Sequence, residues 1–556
     1  MTAAASTSTP TASDVIANLP WKWNTQGVIF LIGGLGFMFD AWDVALNGFL
    51  IPLLSEHWDL SVGEAAWIAT ANLIGMALGA FVWGGIADVI GRKKAFTLTL
   101  LVFSIFTVAG AFAPEFGWFI AFRFLAGFGL GGCIPVDYAL VGEFTPSRHR
   151  GRVLTAMDGW WPIGASLCAF VSAWLLTMGD WRLIMLVMII PALLTVAVRF
   201  GIPESPLYLA SVGRTAEADA IIARLVKRTG ANVTTWTHDV PTAVSASDGH
   251  DSLGEETRRR TQTDRIQTDR TRTDIVDLRE GAAARQGDSA GMEGNSAGTP
   301  GDSSGVRGNS AGTPGDSSGV LGNSAGTPGD SSGVQGNSAG LITSVSGQLR
   351  AASGQLVQLW QYSAKTTLVS WALFVSVLLV YYAVLTWLPG ILKKQGLGDQ
   401  AAFLVTGAMT AVGILGVVVS ALVVERLGRK LVLGVTAIVS AGLLVCVAVF
   451  IEASGSELSF AAKASIIGFG FVIQIAIPTL YTYVSELYPT RLRGSGFGWA
   501  SAASRIATGI APLVFGAFMW PVLGLVTTFV LTGVLVVVAV VLMGFLARET
   551  TGEKLV

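Results

Sequence analysis

Charge is what this sequence of 556 residues has least of. Asp, Glu, Lys and Arg make up 13% of it, against 52% hydrophobic residues and a mean hydropathy of +0.60. That balance excludes an ordinary soluble domain and leaves lipid as the solvent for most of the chain. Cysteine is almost missing: Cys133, Cys168 and Cys446 are the only three, all inside apolar segments, so no disulfide framework is expected. The four histidines, His57, His149, His238 and His250, are scattered singly, which argues against a metal site, and no cofactor is expected. A formal net charge of -1 gives no reason to expect nucleic acid as a partner. Met1–Asn18 lacks the basic start of a secretion signal, so the first apolar segment is expected to stay in the mature protein.

What is abundant is long apolar runs. They lie near 26–52, 64–90, 95–113, 117–141, 152–177, 181–200, 366–390, 400–424, 430–452, 460–484, 495–520 and 522–547. Each is long enough to cross ~30 Å as a helix. The runs are continuously apolar rather than alternating, which favours helices over a barrel, and a helix satisfies its own backbone groups in lipid. The expected fold is therefore an all-α membrane protein with twelve transmembrane helices in two pseudo-symmetric six-helix bundles, 26–202 and 365–547. A tail, 1–25, a linker, 203–364, and a second tail, 548–556, complete the chain.

Four short loops are basic, carrying Arg92, Lys93 and Lys94; Arg148, Arg150 and Arg152; Arg426, Arg429 and Lys430; Arg491 and Arg493. The intervening loops hold only Arg182, Lys393, Lys394 and Lys463. The positive-inside rule then makes both termini and the linker cytoplasmic. Within the linker, Ala218, Ile221, Ile222, Leu225 and Val226 fall at helical spacing over Thr215–Gly230, predicting a short amphipathic helix. Beyond it come a charged run, Glu255–Asp274, and a repeated GNSAGTPGDSSGV unit beginning at Gly294, Gly308 and Gly322, with a partial copy at Gly336. Gly, Ser, Pro and Asp without apolar periodicity cannot offset the entropy of ordering, so a disordered tether is expected there, with any protein partner unknown.

The basic loops repeat between the halves. Asp88-Val89-Ile90-Gly91-Arg92-Lys93-Lys94 after the second helix is echoed by Glu425-Arg426-Leu427-Gly428-Arg429-Lys430 after the eighth. Glu143-Phe144-Thr145-Pro146 with Arg148 and Arg150 after the fourth is echoed by Glu486-Leu487-Tyr488-Pro489 with Arg491 and Arg493 after the tenth. Internal repeats of this kind mark transporter folds. Together these motifs resemble the major facilitator superfamily, and Pro203-Glu204-Ser205-Pro206 narrows the resemblance towards its sugar-porter and organic-ion members. It covers both membrane halves but not 231–350. It implies that Asp88, Gly91, Arg92, Glu143, Arg150, Glu425, Arg429, Glu486 and Arg493 form cytoplasmic gate motifs. Gly127-Phe128-Gly129-Leu130-Gly131-Gly132 matches a dinucleotide-binding pattern in form only; no strand precedes it, and small residues in a membrane helix serve close packing, as Gly75 and Gly79 also do.

Ionisable residues inside a membrane are costly and hence functional candidates: Asp40, Asp43, Arg123 and Arg505. At 1.5 Å per residue Asp40 lies about 21 Å from the cytoplasmic start of helix one, and Arg123 about 9 Å from the outer start of helix four. Across ~30 Å these depths agree. An Asp40–Arg123 pair is therefore expected, in which a proton arriving at Asp40 weakens the pair and frees the helices to rearrange. The resemblance implies the same, since related proton symporters carry an acid in helix one and an arginine in helix four at matching positions. Phe39-Asp40-Ala41-Trp42-Asp43 also looks like the helix-one motif of nicotinate and aromatic-acid transporters, with Ala41 in place of a frequent Gly.

Arg505, about 15 Å into helix eleven, sits near the midplane and suits an anionic substrate unless it pairs internally, with Asp158 for example. It resembles an arginine of the organic-ion members rather than of the sugar porters. Trp42, Trp160, Trp161, Tyr381, Tyr382 and Gln474 are further candidates for substrate contact, and Tyr381-Tyr382-Ala383 with Trp387-Leu388-Pro389 looks like a helix-seven gate. Asp137 and Asp158 are assigned a secondary role near the cytoplasmic ends of their helices. The expected function is proton-coupled uptake of a small organic anion across the cytoplasmic membrane by alternating access. A sugar or polyol symporter, an exporter and a non-transporting receptor are the alternatives. No catalytic constellation is present, so an enzyme is not expected.

Overall fold

The computed structural model describes residues 9–237, 335–454 and 457–550. The charged run and nearly all of the repeats lie outside the described residues, as does the side chain of Asp88. The membrane helices are numbered here and the linker helices are not. The first half comprises α1 (Val28–His57), α2 (Val62–Ile90), α3 (Arg92–Gly110), α4 (Phe116–Phe144), α5 (Ser147–Asp158 continued by Trp160–Leu175) and α6 (Arg182–Leu186 continued by Ile189–Gly201). The second comprises α7 (the end of Gln335–Lys394, past a non-helical Ser363), α8 (Asp399–Leu427), α9 (Arg429–Ala453), α10 (Phe460–Leu487), α11 (Thr490–Val514) and α12 (Trp520–Leu546).

Ten helical stretches among the described residues are individually long and apolar enough to span a membrane. Among the described residues the sixth crossing is a shorter apolar helix, Arg182–Val198, with a turn at Val187 and Met188. The last stretch, Leu492–Leu546, has 55 residues. As one helix it would run about 82 Å, far beyond a ~30 Å core. It turns back instead, through a wide π turn at Phe515–Met519 and a positive φ of 77° at Gly524, so it holds both α11 and α12.

Local chemistry sets the helix ends. Ser61 and Glu64 form a reciprocal capping box at the start of α2, and Ser459 caps α10. Gly91 and Gly428 take φ of 100° and 92°, a region that glycine enters without penalty, and each reverses the chain between two membrane helices. Within the first bundle α2 packs on α4 backbone to backbone: a Cβ on Gly127 would stand 1.9 Å from the Asn72 carbonyl oxygen, and one on Gly79 would stand 2.1 Å from that of Phe128. The Gly-rich stretch of α4 is thus a packing surface. In the linker Thr215–Thr229 is helical, buries Ala218, Ile222, Leu225 and Val226, and ends on Gly230 with φ of 74°.

The bundles meet along α1 with α7, α2 with α11 and α5 with α8. On the face opposite the basic loops they are closed together. A Cβ on Gly48 would lie 2.4 Å from the Leu385 oxygen, the Phe49 and Phe403 rings are 4.7 Å apart, and Lys393 pairs with Glu56 at 2.7 Å and Asp399 at 2.9 Å. Gly127→Val should therefore wedge α2 from α4. Overpacking of this kind costs about 1–3 kcal/mol, visible as a lower unfolding midpoint of the purified protein in detergent, whereas Gly117→Val, with open space around it, should leave the midpoint in place.

Candidate functional site

Arg123 on α4 is fully buried and grips Asp43 on α1 with both ends of its guanidinium: Nη1 donates to Oδ1 at 3.0 Å and Nη2 to Oδ2 at 2.9 Å. Nη2 also donates to Asn47 Oδ1 at 2.8 Å, Thr107 Oγ1 on α3 donates to Asp43 at 2.9 Å, and Asn72 Nδ2 on α2 donates to it at 3.2 Å. Four helices are tied through one carboxylate. The expected partner of Arg123 was Asp40, and the structure corrects this. Asp40 and Asp43 are three residues apart, so they share a face of α1 and differ by about 4.5 Å in depth. Only Asp43 has the amides and hydroxyl that complete a buried pair.

Asp40 is left different in kind. It is fully buried, and neither carboxylate oxygen has a hydrogen-bond partner among the described residues. Asp137 on α4 is equally buried and equally unpartnered. Arg505 on α11 is within electrostatic reach of Asp40.

Arg505 lines a cavity of about 870 Å³ between the bundles. Its walls include Trp161 on α5, Tyr381 and Tyr382 on α7, Gln474 and Tyr481 on α10, and Asp158 at the inner part of α5. Gln355, in the helical segment before Ser363, and Gly494 and Ser495, at the basic-loop end of α11, also line it, so the cavity reaches that face. On its wall Trp161 Nε1 donates to the Tyr381 hydroxyl at 3.1 Å across the two bundles. Arg505 forms no ion pair among the described residues, and its Nη1 is buried without a hydrogen-bond partner. The alternative partner Asp158 instead accepts from the Tyr138 hydroxyl at 2.5 Å. Gln474 Nε2 is also without a partner. The cavity thus offers one cation, an amide and several aromatic faces, a composition that suits a flat anion.

Five of the residues expected to contact substrate, Arg505, Trp161, Tyr381, Tyr382 and Gln474, are brought together. Trp42 and Trp160 are not among the lining residues. Trp160 packs on Phe30, with its ring filling the space beside Gly34, and Trp42 is buried beside Phe39. Neither tryptophan's direction around its helix was available from spacing alone.

The loop motifs form matching constellations. Arg92 Nε lies 3.4 Å from Glu143, and Arg429 lies 3.2 Å from Glu486 and 3.3 Å from Glu425. Arg150 donates to the Thr145 carbonyl at 3.3 Å, and Arg493 is half-buried in the first turn of α11. Sequence reasoning missed two acids here. The Lys93 amide donates to Glu204 at 3.0 Å, and the Arg429 and Lys430 amides both donate to Glu549 at 3.1 Å. Each glutamate follows the last helix of its half and caps the helix that starts after Gly91 or Gly428. The signal was present: a helix beginning on glycine has no side-chain cap and needs an acid from elsewhere.

Comparison with known proteins adds to this geometry. The family model described as Major Facilitator Superfamily matches residues 33–512 and, separately, 399–555. The niacin transporter NiaP of Acinetobacter baylyi is 28% identical over 97% of this chain and 98% of its own. The gallate transporter of Pseudomonas putida is 25% identical over 94% of this chain and 91% of its own. An inward-open structure of the xylose transporter XylE from E. coli superposes with a TM-score of 0.63 at 16% identity, covering 95% of this chain and 98% of that one, a likeness of fold.

The two acids of α1 should respond differently to neutralisation. Asp43→Asn leaves Arg123 buried without its counter-charge, a loss of about 3–5 kcal/mol for a broken buried pair. Its unfolding midpoint should fall well below wild type while that of Asp40→Asn does not; equal falls would refute the assignment of the pair.

Proposed function

Since the chain belongs to the major facilitator superfamily, it is a multi-pass membrane transporter and not an enzyme, and we propose that it takes up a small aromatic or heteroaromatic carboxylate together with a proton. The observation that carries this reading is Arg505, a cation in an aromatic cavity with no ion pair among the described residues. In a site of low dielectric such a charge holds an anion strongly, and Trp161, Tyr381 and Tyr382 supply faces for its ring. The names of the relatives, a niacin transporter and a gallate transporter, point to the same substrate class.

The position of Asp40 supports the proton-coupled reading. An ionised Asp40 competes with the substrate carboxylate for the field of Arg505, and a protonated Asp40 does not. Anion and proton therefore favour each other's binding, and by linkage the effect is reciprocal. Alternating access supplies the movement. The outer side is held by the Gly48 approach, the Trp161–Tyr381 bond and the Lys393 pairs, while the cavity opens to the basic-loop face. By the positive-inside rule that face is cytoplasmic, as are both termini and the linker, and the membrane is the cytoplasmic one.

Reconstituted vesicles test this with radiolabelled nicotinate, benzoate, gallate or glucose outside and an imposed inward proton gradient. Acid uptake should be stimulated by the gradient. Loss of a charge-assisted contact costs about 1.5–3 kcal/mol, so Arg505→Ala should weaken acid uptake by roughly 10- to 100-fold, with Arg505→Lys intermediate. Glucose uptake indifferent to Arg505 would overturn the proposal in favour of a sugar transporter.

A further inference from the structure

Two carboxyl groups stand outside every network described so far. Asp40 and Asp137 are fully buried, and all four of their oxygens are without hydrogen-bond partners. They are neighbours across α1 and α4. Asp137 Oδ2 lies 3.2 Å from where a Cβ on Gly36 would stand, one turn before Asp40 on α1. Helical side chains lean towards the N-terminus, which brings the Asp40 carboxyl over that same turn. Gly36 is what lets Asp137 come so close.

Other charged and titratable groups do not neutralise the two. On α1, Asp43 is committed to Arg123. On α4, Cys133 and Tyr138 flank Asp137, and the Tyr138 hydroxyl is committed to Asp158 of α5. From α7 comes Tyr382, and from α11 comes Arg505, whose field reaches Asp40. Arg505 thus acts on Asp40, and Asp40 in turn acts on Asp137, in a setting where an uncompensated carboxylate costs several kcal/mol.

We propose that Asp40 and Asp137 together form one proton-binding site that keeps a proton among its four oxygens and takes up a second when an anion occupies Arg505. With one proton the site carries a charge of about −1 by simple count, matching Arg505 when no substrate is present. With an anion at Arg505 the second proton neutralises the site, and the local charge again sums to zero. The inference rests on the anion-transport reading for its second proton, but the first proton is a property of the empty protein. Asp137 acts as a positioning residue for the proton: its like charge is what holds the first proton in the site, and once that proton is shared between the two carboxyls the second binds less readily than it would on Asp40 alone, so that it arrives only with an anion.

The experiment has two arms on the purified, full-length chain. Infrared difference spectra of the substrate-free protein read the carbonyl band of a protonated carboxyl. Wild type should show such a band at neutral pH, and Asp137→Asn should lose it because Asp40 then ionises beside Arg505. The second arm measures the pH dependence of radiolabelled nicotinate or gallate binding. Asp137→Asn should move its midpoint to higher pH by roughly one unit or more, with Asp137→Glu restoring the wild-type profile. A band and a pH midpoint both unchanged in Asp137→Asn would overturn the proposal. If wild type binds neither acid, the anion-transport reading fails, and the substrate-free band still decides whether the two carboxyls share a proton.

Discussion

A polar group in hydrocarbon has no water to turn to, and the arrangement of this protein depends on how that debt is met inside the chain. The Asp43–Arg123 pair meets most of it, since the Asn72 amide and the Thr107 hydroxyl donate to the carboxylate and the Asn47 oxygen accepts from the guanidinium. One carboxylate thereby fixes the relative positions of α1, α2, α3 and α4. The same requirement explains the far ends of the bundles. Each chain reversal at Gly91 and Gly428 exposes the amides of a new helix, and Glu204 or Glu549 is brought back from the end of the same half to accept from them. Each half is closed on itself by residues that follow its last helix.

Against that background two of the unsatisfied groups stand out by location. Arg505 and Gln474 line the cavity between the bundles. A group left without a partner inside a moving interface is one whose partner arrives from outside, as a solute or a proton, and departs again.

Much of the fold was legible because its signals are long and redundant: apolar runs of membrane length, alternating basic loops, and motifs that recur between halves. The sixth crossing and the α11–α12 turn depart from single straight helices, yet their apolar runs were plain in the sequence. The site was legible in kind and less so in pairing. Depth arithmetic correctly put an acid of α1 level with Arg123, but a rise of about 4.5 Å cannot separate Asp40 from Asp43 on one face. The deciding residues, Asn47, Asn72 and Thr107, are small polar groups with no motif to mark them. Trp42 and Trp160 illustrate a second limit. Aromatic residues at the right depth line a cavity only if their helix face turns inward, and continuously apolar helices give little periodicity from which to read that face. Glu549 shows a third, since it lies in a tail whose partner is more than a hundred residues away.

Electrostatics also constrains how cargo and proton can be matched. Moving between inward-facing and outward-facing states requires the cavity to close over its contents, which removes water from whatever charge it holds. Closure over a net charge is costly, and closure over a compensated set is not. With Arg505 balanced by the carboxyl site when empty, and by the anion when the site has taken its proton, both the empty and the fully loaded cavity are compensated. The half-loaded states, anion without proton or proton without anion, carry a net charge of one sign or the other. On the proposed reading they are disfavoured from closing, so the anion crosses only with its proton, and the coupling needs no separate gate beyond the charges of Asp40, Asp137 and Arg505.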